Sequence, residues 1–422
     1  MGSINPPSKL PSRAPNTPYF TPPNNPGAAL DPNSPSTPTL FRPLKIRNVT
    51  LKNRIIVAPM CMFSCEPDPS HPAVGALTDW HVAHLGHLAA KGVGMVMIEA
   101  TSVTPNGRIS PQDSGIWNGI DSDQGRALKR VVDFLHSQGC TFALQLAHAG
   151  RKASTVAHWL TPRVPGDKGP RVSGKADLEG GGWPDDFCQP RELSIAEIEE
   201  TVQAFARSAK TAIEAGVDVI EVHGAHGYLL HEFLSPVTNR RMDRYGGNFD
   251  NRVRIVCEIL TAIRAAIPSD TPLFLRISAT DWLEGHPASA ETGSWDLPST
   301  IKLAKLLPEL GVDLLDVSSA GNHKDQQIQI HPNYQVDMAG QIRREIRAAG
   351  QTTLIGAVGL IKEAESARDI VQGADEPESG KEPKADVVLI ARQFLREPNW
   401  VFAAAKKLEV PISLPFQMGP ML

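Results

Sequence analysis

The sequence predicts an α/β chain closed into a single (β/α)8 TIM barrel, on the strength of two patterns. Eight short apolar runs rich in Val, Ile and Leu alternate with segments of helical spacing, as parallel βαβ units require. The polar residues of interest gather at the C-terminal ends of those runs, the rim on which TIM barrels build their sites. A scatter of structural polar groups would not collect there. The rival is an open doubly wound sheet. That fold calls for a glycine-rich turn after the first strand, where this chain has Pro59-Met60-Cys61-Met62.

Residues 1–38 are Pro, Ser, Asn and Thr with few large apolar side chains, and twelve of the 36 prolines fall in the first 43 positions. Such a segment buries too little surface to offset its ordering entropy, so an irregular arm is expected. The barrel is expected over 39–410 and a C-terminal tail over 411–422. Strands are expected at Arg54–Met60, Gly94–Thr101, Thr141–His148, Val217–His223, Leu273–Ser278, Leu314–Ser319, Thr353–Gly359 and Asp386–Arg392. The helical pattern covers Gln124–Ser137, Ile195–Glu214, Asn251–Ala266, Pro298–Leu310, Met338–Ala349 and Ile361–Gln372. Loop insertions separate them. Residues 151–190 carry Trp159 and Trp183 and are expected to form a lid or pocket wall. Residues 282–298 form a second long loop, and 373–384 read as an acidic, solvated insertion.

The net charge of -4 is of mixed sign without a basic block, which excludes a nucleic-acid or anionic-membrane footprint. No apolar run reaches the roughly 18 to 20 residues that span a bilayer. Five cysteines, odd and sparse, argue for a reducing compartment, and the N-terminus lacks the apolar core of a secretory signal. A cytoplasmic location is the expectation.

His223-Gly224-Ala225-His226, with Tyr228 two residues on, is the most informative stretch. Histidines three apart on a strand face opposite ways, but where a strand turns into a helix they can share one concave side. Two imidazoles can then donate to one substrate oxygen while a tyrosine supplies a proton. A zinc pair is the rival, although the helical HExxH context is missing. Arg276 is a charge in a buried run, either salt-bridged internally or a cation set in the mouth; its place opposite the histidines favours the mouth. Gly356-Ala357-Val358-Gly359 and Ala391-Arg392 end the last two strands, where barrels often take a phosphate on backbone N–H groups and a helix N-terminus. Arg392 adds a bidentate clamp. Gln145 can donate and accept, which suits an imide-like edge, and Cys61 stands where the first strand meets the mouth.

Three stretches together carry a family resemblance: Pro59-Met60-Cys61-Met62-Phe63-Ser64, Gln145 through Lys152, and His223-Gly224-Ala225-His226-Gly227-Tyr228 continuing through Asn239-Arg240-Arg241 to Asn251-Arg252. From Phe41 to about Leu408 the chain resembles the old yellow enzyme family of FMN-dependent ene-reductases. The cysteine after Pro-Met points to its thermophilic-like subgroup, and the Pro-rich arm and insertions look fungal. The resemblance implies that Ala58, Pro59, Met60, Cys61, Ala100, Gln145, Arg276, Val358, Gly359, Ala391 and Arg392 contact FMN. It implies that His223 and His226 bind the activating carbonyl oxygen, that Tyr228 is the proton donor, and that Phe63 lines the substrate pocket where the subgroup often has tyrosine. It further implies NADPH or NADH as hydride donor and small activated alkenes as substrates. The chain departs from the pattern at Ala391, usually glycine, and in a C-terminus lacking the arginine and aromatic that the subgroup lends to a neighbour. Homodimer and monomer therefore both stand. Two other readings are a zinc hydrolase using His223 and His226, and a non-catalytic flavin redox sensor built on Cys61 and Cys65.

Overall fold

The computed structural model describes residues 25–153, 155, 157, 190–372, 382–415 and 418. The expectations for residues 1–24, for most of 151–190 with Trp159 and Trp183, and for most of the acidic insertion lie outside the described residues.

A hairpin of β1 (Leu44–Ile46) and β2 (Val49–Leu51) precedes the barrel. The barrel strands are β3 (Ile55–Val57), β4 (Met95–Ser102), β5 (Thr141–Ala147), β6 (Val219–Gly224), β7 (Leu273–Ser278), β8 (Leu314–Ser318), β9 (Leu354–Val358) and β10 (Val387–Ile390). They close in the order β10-β3-β4-β5-β6-β7-β8-β9, every barrel pair parallel. The helices are α1 (Asp79–Ala89), α2 (Asp123–Ser137), α3 (Ile195–Glu214), α4 (Leu229–Leu234), α5 (Phe249–Ala266), α6 (Leu297–Ala304), α7 (Tyr334–Ala348), α8 (Ala364–Gln372), α9 (Arg392–Arg396) and α10 (Trp400–Lys407).

Two apolar clusters follow from the period-2 alternation of the strands. The outward set, with Ile55, Ile98, Leu144, Ile220, Leu275 and Val317, packs against the helices. The inward set, with Ile56, Met97, Ala143, Phe274, Leu314 and Leu389, fills the barrel. Ile46 and Leu51 of the hairpin join that inner set, so the hairpin stoppers one end. Arg47 binds Asp313 at 2.6 Å and the Ser269 carbonyl at 2.5 Å, both just ahead of strand starts, which places the stopper at the N-terminal end. Among the described residues the hairpin covers only that end, and the C-terminal end is left to the turns that follow the strands.

The boundaries differ from the sequence expectation for local reasons. Strand one is expected to Met60 but ends at Val57, since Pro59 has no N–H to give the ladder. Strand eight is expected through Arg392 but ends at Ile390, and Arg392 opens α9 instead. The fourth expected helix region, Pro298–Leu310, stops at Ala304, because Pro308 has no N–H for the Ala304 carbonyl and its ring disfavours helical geometry before it. Asn248 caps α5 through Asn251 N–H, starting it at Phe249. The described part of the arm makes no helix or strand, but Gly27, Ala28 and Leu30 bond to Pro411 and Ser413. Arm and tail thus run against each other beside the barrel, with Asn53 holding Gly27 O at 3.0 Å.

Candidate functional site

The C-terminal end of the barrel receives its side chains from all eight strands and the turns after them. On β6 the inward positions are Val219, Glu221 and His223, so His223 is the last inward residue before the turn. His226 then sits at φ 59, a left-handed conformation uncommon outside glycine, which histidine adopts more readily than most residues. That turn swings His226 back beside His223. Their rings lie 5.2 Å apart, edge to face, and the Tyr228 ring meets His223 at 4.9 Å in the same manner.

The turn is held from below. Gly227, at φ 70, has no room for a Cβ, which would fall 2.1 Å from Gly321 O. Its N–H donates to His231 Nδ1 at 2.9 Å, and the other face of that buried ring lies 2.9 Å from Asp281. Asp281 also accepts from Ser235 at 2.5 Å. Lys152 donates to His226 O at 2.7 Å and lies 5.6 Å over the Tyr228 ring. Burial, with Arg151 nearby, brings its amine down to about 7.

Protonation follows from these contacts. Ala225 N–H donates to His223 Nδ1 at 3.2 Å, so the neutral ring carries its proton on Nε2. His226 N–H is taken by Ser278 Oγ at 2.9 Å, and its Nε2 pairs with Ser318 Oγ at 2.7 Å. Burial, and then the Arg276 charge, holds both imidazoles well below the usual histidine range, so both are neutral at pH 7. Burial likewise pushes the Tyr228 phenol well up, keeping its proton. The arrangement offers neutral hydrogen-bond donors and a protonated acid. It does not suit zinc, since a ligating His223 would need a free Nε2.

Arg276 faces inward from β7, beside His223 in register and 7% exposed. It makes the internal contact as well as facing the mouth: Nε lies 3.3 Å from Asp316 Oδ2. Gln145 is buried and donates to Glu221 at 2.7 Å. Ala58, buried, bonds across to Ile390 O at 2.9 Å, while Pro59, Met60 and Cys61 step along the edge of the mouth, part-exposed. Ala100 is buried at the end of β4. Phe63 is buried after β3 at φ 52. Val358 and Gly359 end β9, with Val358 O accepting from Gln335 at 3.0 Å. Ala391 has φ -105, outside the left-handed region that favours glycine. Arg392 is exposed beside Tyr334.

Cys61 and Cys65 are both free thiols, and burial, with Asp113 and Glu99 near, holds both well above the usual thiol range. Neither is an activated nucleophile. Cys65, His81 and Glu99 make a buried cluster of metal-ligand types. Thr78 N–H donates to His81 Nδ1 at 3.0 Å, leaving Nε2 protonated and facing Cys65 at 3.7 Å and Glu99 at 3.5 Å. The ring is a donor there, and not a ligand.

Asp113, beside this cluster, is buried and accepts from Ser110 N–H at 2.5 Å; burial raises its carboxyl to about 7. The folded state therefore binds a proton that the unfolded chain has lost above its ordinary value, so stability falls as pH rises from about 4 to about 7. The loss is up to about 4 kcal/mol. Urea denaturation of Asp113→Asn is expected to show about 3 kcal/mol less difference between pH 5 and pH 8 than the unsubstituted protein, since part of the loss already falls below pH 5.

Sequence reasoning places Ser318 on the rim, at the end of its run, but misses Lys152, Ser278, Glu221, Asp316 and the His231–Asp281 pair. Glu221 and Asp316 carried the signal used for Arg276, an ionisable residue inside an apolar run. Ser278 carried only its place at the end of its run.

A parallel barrel with a cation, paired imidazoles and a tyrosine at its mouth, and glycine at the end of the seventh barrel strand, fits the class the sequence resemblance implies, a flavin-dependent oxidoreductase. Comparison with known proteins agrees. The NADH:flavin oxidoreductase / NADH oxidase family matches residues 39–410. An NADH:flavin oxidoreductase of Gibberella zeae is 42% identical over 418 residues, covering 95% of this chain and 93% of that one. An NADPH dehydrogenase of a Geobacillus species is 40% identical over 379 residues, 90% of this chain and 97% of its own. A solved morphinone reductase covers 90% of this chain and 91% of its own with a TM-score of 0.63; at 24% identity it shows the fold alone. The chain belongs to the NADH:flavin oxidoreductase / NADH oxidase family. It is an oxidoreductase using FMN and a reduced nicotinamide. Among the described residues no helix is long and apolar enough to cross a membrane.

The residues present fit FMN on two observations. Gly359, at φ 110 and packed where a Cβ would meet Gln335 Nε2 at 2.8 Å, keeps the turn after β9 as bare backbone, which suits a phosphate taken on backbone N–H groups. Arg276 sets a buried cation within the mouth, where an electron-rich ring gains most from it.

Proposed function

We propose that this protein is an ene-reductase that saturates the C=C bond of small activated alkenes: enones, enals, maleimides and nitroalkenes. The observation that carries the reading is the trio His223, His226 and Tyr228, edge to face within 5.2 Å, with His223 forced to present Nε2–H. Ala58, Pro59, Met60, Cys61, Ala100, Gln145, Arg276, Val358, Gly359, Ala391 and Arg392 would hold FMN, the last four taking the phosphate end. When bound, FMN supplies the hydride that NADPH or NADH has delivered, in a ping-pong cycle.

His223 and His226 hydrogen-bond the substrate carbonyl oxygen. Because both are neutral and fixed by Ala225, Ser278 and Ser318, they are oriented before charge develops on that oxygen. This draws electron density from the double bond and leaves the β-carbon open to hydride. Tyr228 donates its phenolic proton to the α-carbon. Its raised pKa keeps it protonated through the neutral range. Phe63 closes the pocket with an apolar face. The Cys61 thiol, near the cofactor edge, adjusts its surroundings without attacking substrate.

Further parts of this reading are a 1–38 arm and 411–422 tail flanking a 39–410 barrel, a monomer or homodimer, and a cytoplasmic setting, which the four free described cysteines support. Assays with maleimides, cyclic enones and nitroalkenes under NADPH or NADH test it. The expected result is nicotinamide oxidation matched by saturated product. A flavin-loaded protein inert to every such alkene contradicts it and leaves the sensor reading.

A further inference from the structure

One residue pair below the histidines, the barrel holds charge that the proposed chemistry does not use. Glu221 on β6 and Asp316 on β8 are both fully buried, and both face inward with Val219 and Leu314 of the same strands. Arg276 on the intervening β7 lies beside Asp316 in register and beside His223 on its other side. Gln145 on β5 lies beside Glu221. The contacts are few: Gln145 Nε2 donates to Glu221 Oε1 at 2.7 Å, and Arg276 Nε lies 3.3 Å from Asp316 Oδ2. Glu221 Oε2 and both Asp316 oxygens have no hydrogen-bond donor among the described residues.

Two full carboxylates against one guanidinium leave an unbalanced negative charge in an interior of Met97, Phe274, Val358 and Leu389, which is strongly disfavoured. One proton on the pair cancels that charge and turns an acceptor oxygen into a donor. We propose that Glu221 and Asp316 share a single proton at neutral pH and act as positioning residues for Arg276, setting how strongly its charge favours electrons on the FMN above it. The inference rests on the placement of FMN under Proposed function.

The groups facing the pair are known from each neighbouring strand. They are Gln145 from β5, Arg276 from β7 and, on β6 itself, neutral His223. The other strands bring Ala58, Met97, Val358, Leu389 and Gly356, none of which titrates. Burial, then the charge of Asp316, raises Glu221 to about 8, and burial raises Asp316, while Arg276 pulls both back. Below that pH the trio of Arg276, Glu221 and Asp316 is neutral; above it the trio carries one negative charge. Reduction of bound FMN by the two electrons of a nicotinamide hydride then draws one proton from solvent onto the pair. The midpoint potential therefore falls more steeply with pH above about 8, by one further proton per two electrons.

Infrared difference spectra and redox titrations of the holoenzyme test this in Glu221→Gln, Asp316→Asn and Arg276→Lys. Both carboxyl variants are expected to lose the same protonated-carboxyl band at pH 7, because removing either partner leaves the other ionised against Arg276. Both should also lose the alkaline break in potential. If each variant keeps the band and the break while only its stability drops, the pair is merely structural and the inference falls. If the band behaves as expected but Arg276→Lys and both carboxyl variants leave the potential unmoved, the shared proton stands and the placement of FMN fails. If Arg276→Lys shifts the potential while the break survives both carboxyl variants, the placement stands and the pair's role is overturned.

Discussion

Tyr228→Phe is expected to slow reduction of a simple cyclic enone by roughly a hundred- to ten-thousand-fold, the usual contribution of a positioned general acid. The substitution removes one oxygen and keeps the ring that packs edge-on against His223 at 4.9 Å, so the fold and the neighbouring imidazole stay in place. Tyr228 also caps α4 through its backbone alone, with no side-chain cap to lose. The nicotinamide half of the cycle requires no proton from this phenol. Rapid-mixing kinetics should therefore show normal cofactor reduction by NADPH and a slow second half. Unaltered rates in both halves remove Tyr228 from the chemistry.

His223→Ala and His226→Ala come next in size. A preorganised donor aimed at a developing oxyanion is worth about 3 to 4 kcal/mol, so each is expected to cost roughly a hundred- to a thousand-fold in the same half-reaction. The two differ in side effects. The His223 ring accepts one hydrogen bond, from Ala225 N–H, whereas His226 sits at φ 59 and pairs with Ser318. His226→Ala therefore carries a stability cost as well, visible as a lower melting temperature. Both donors serve one oxygen, so the double variant should lose less than the product of the single losses. Equal losses in the nicotinamide half would mean that the imidazoles position the nicotinamide and not an alkene carbonyl. Retained rates throughout would contradict their role altogether.

Much of the barrel was legible because its strands are apolar on both faces. Leu273–Ser278 and Ile195–Glu214 fall where alternation and helical spacing place them. The hairpin at Leu44–Ile46 and Val49–Leu51 was not, since three-residue strands carry too little pattern and are defined by what they plug. α1 escaped notice too: its His-rich sequence Asp79–Ala89 shows little apolar periodicity, and its burial comes from packing on α2 and β4. At the site, His223, His226, Tyr228 and Arg276 announced themselves as polar residues at strand ends. What spacing could not reveal was tautomer and partner. Ala225 N–H fixing the His223 proton, Ser278 holding His226 and the His231–Asp281 pair under Gly227 are long-range or backbone contacts that exist only once the barrel closes.

The central claim is that the barrel mouth holds a flavin beside two neutral imidazole donors. An anaerobic absorption spectrum of the purified protein, followed through one addition of NADPH and one of cyclohexenone, tests it most directly. Roughly one FMN per chain, bleached by the nicotinamide and restored by the enone, is the expected result. A colourless protein that binds zinc through His223 and His226, or a bleached flavin that the enone leaves unchanged, would contradict it.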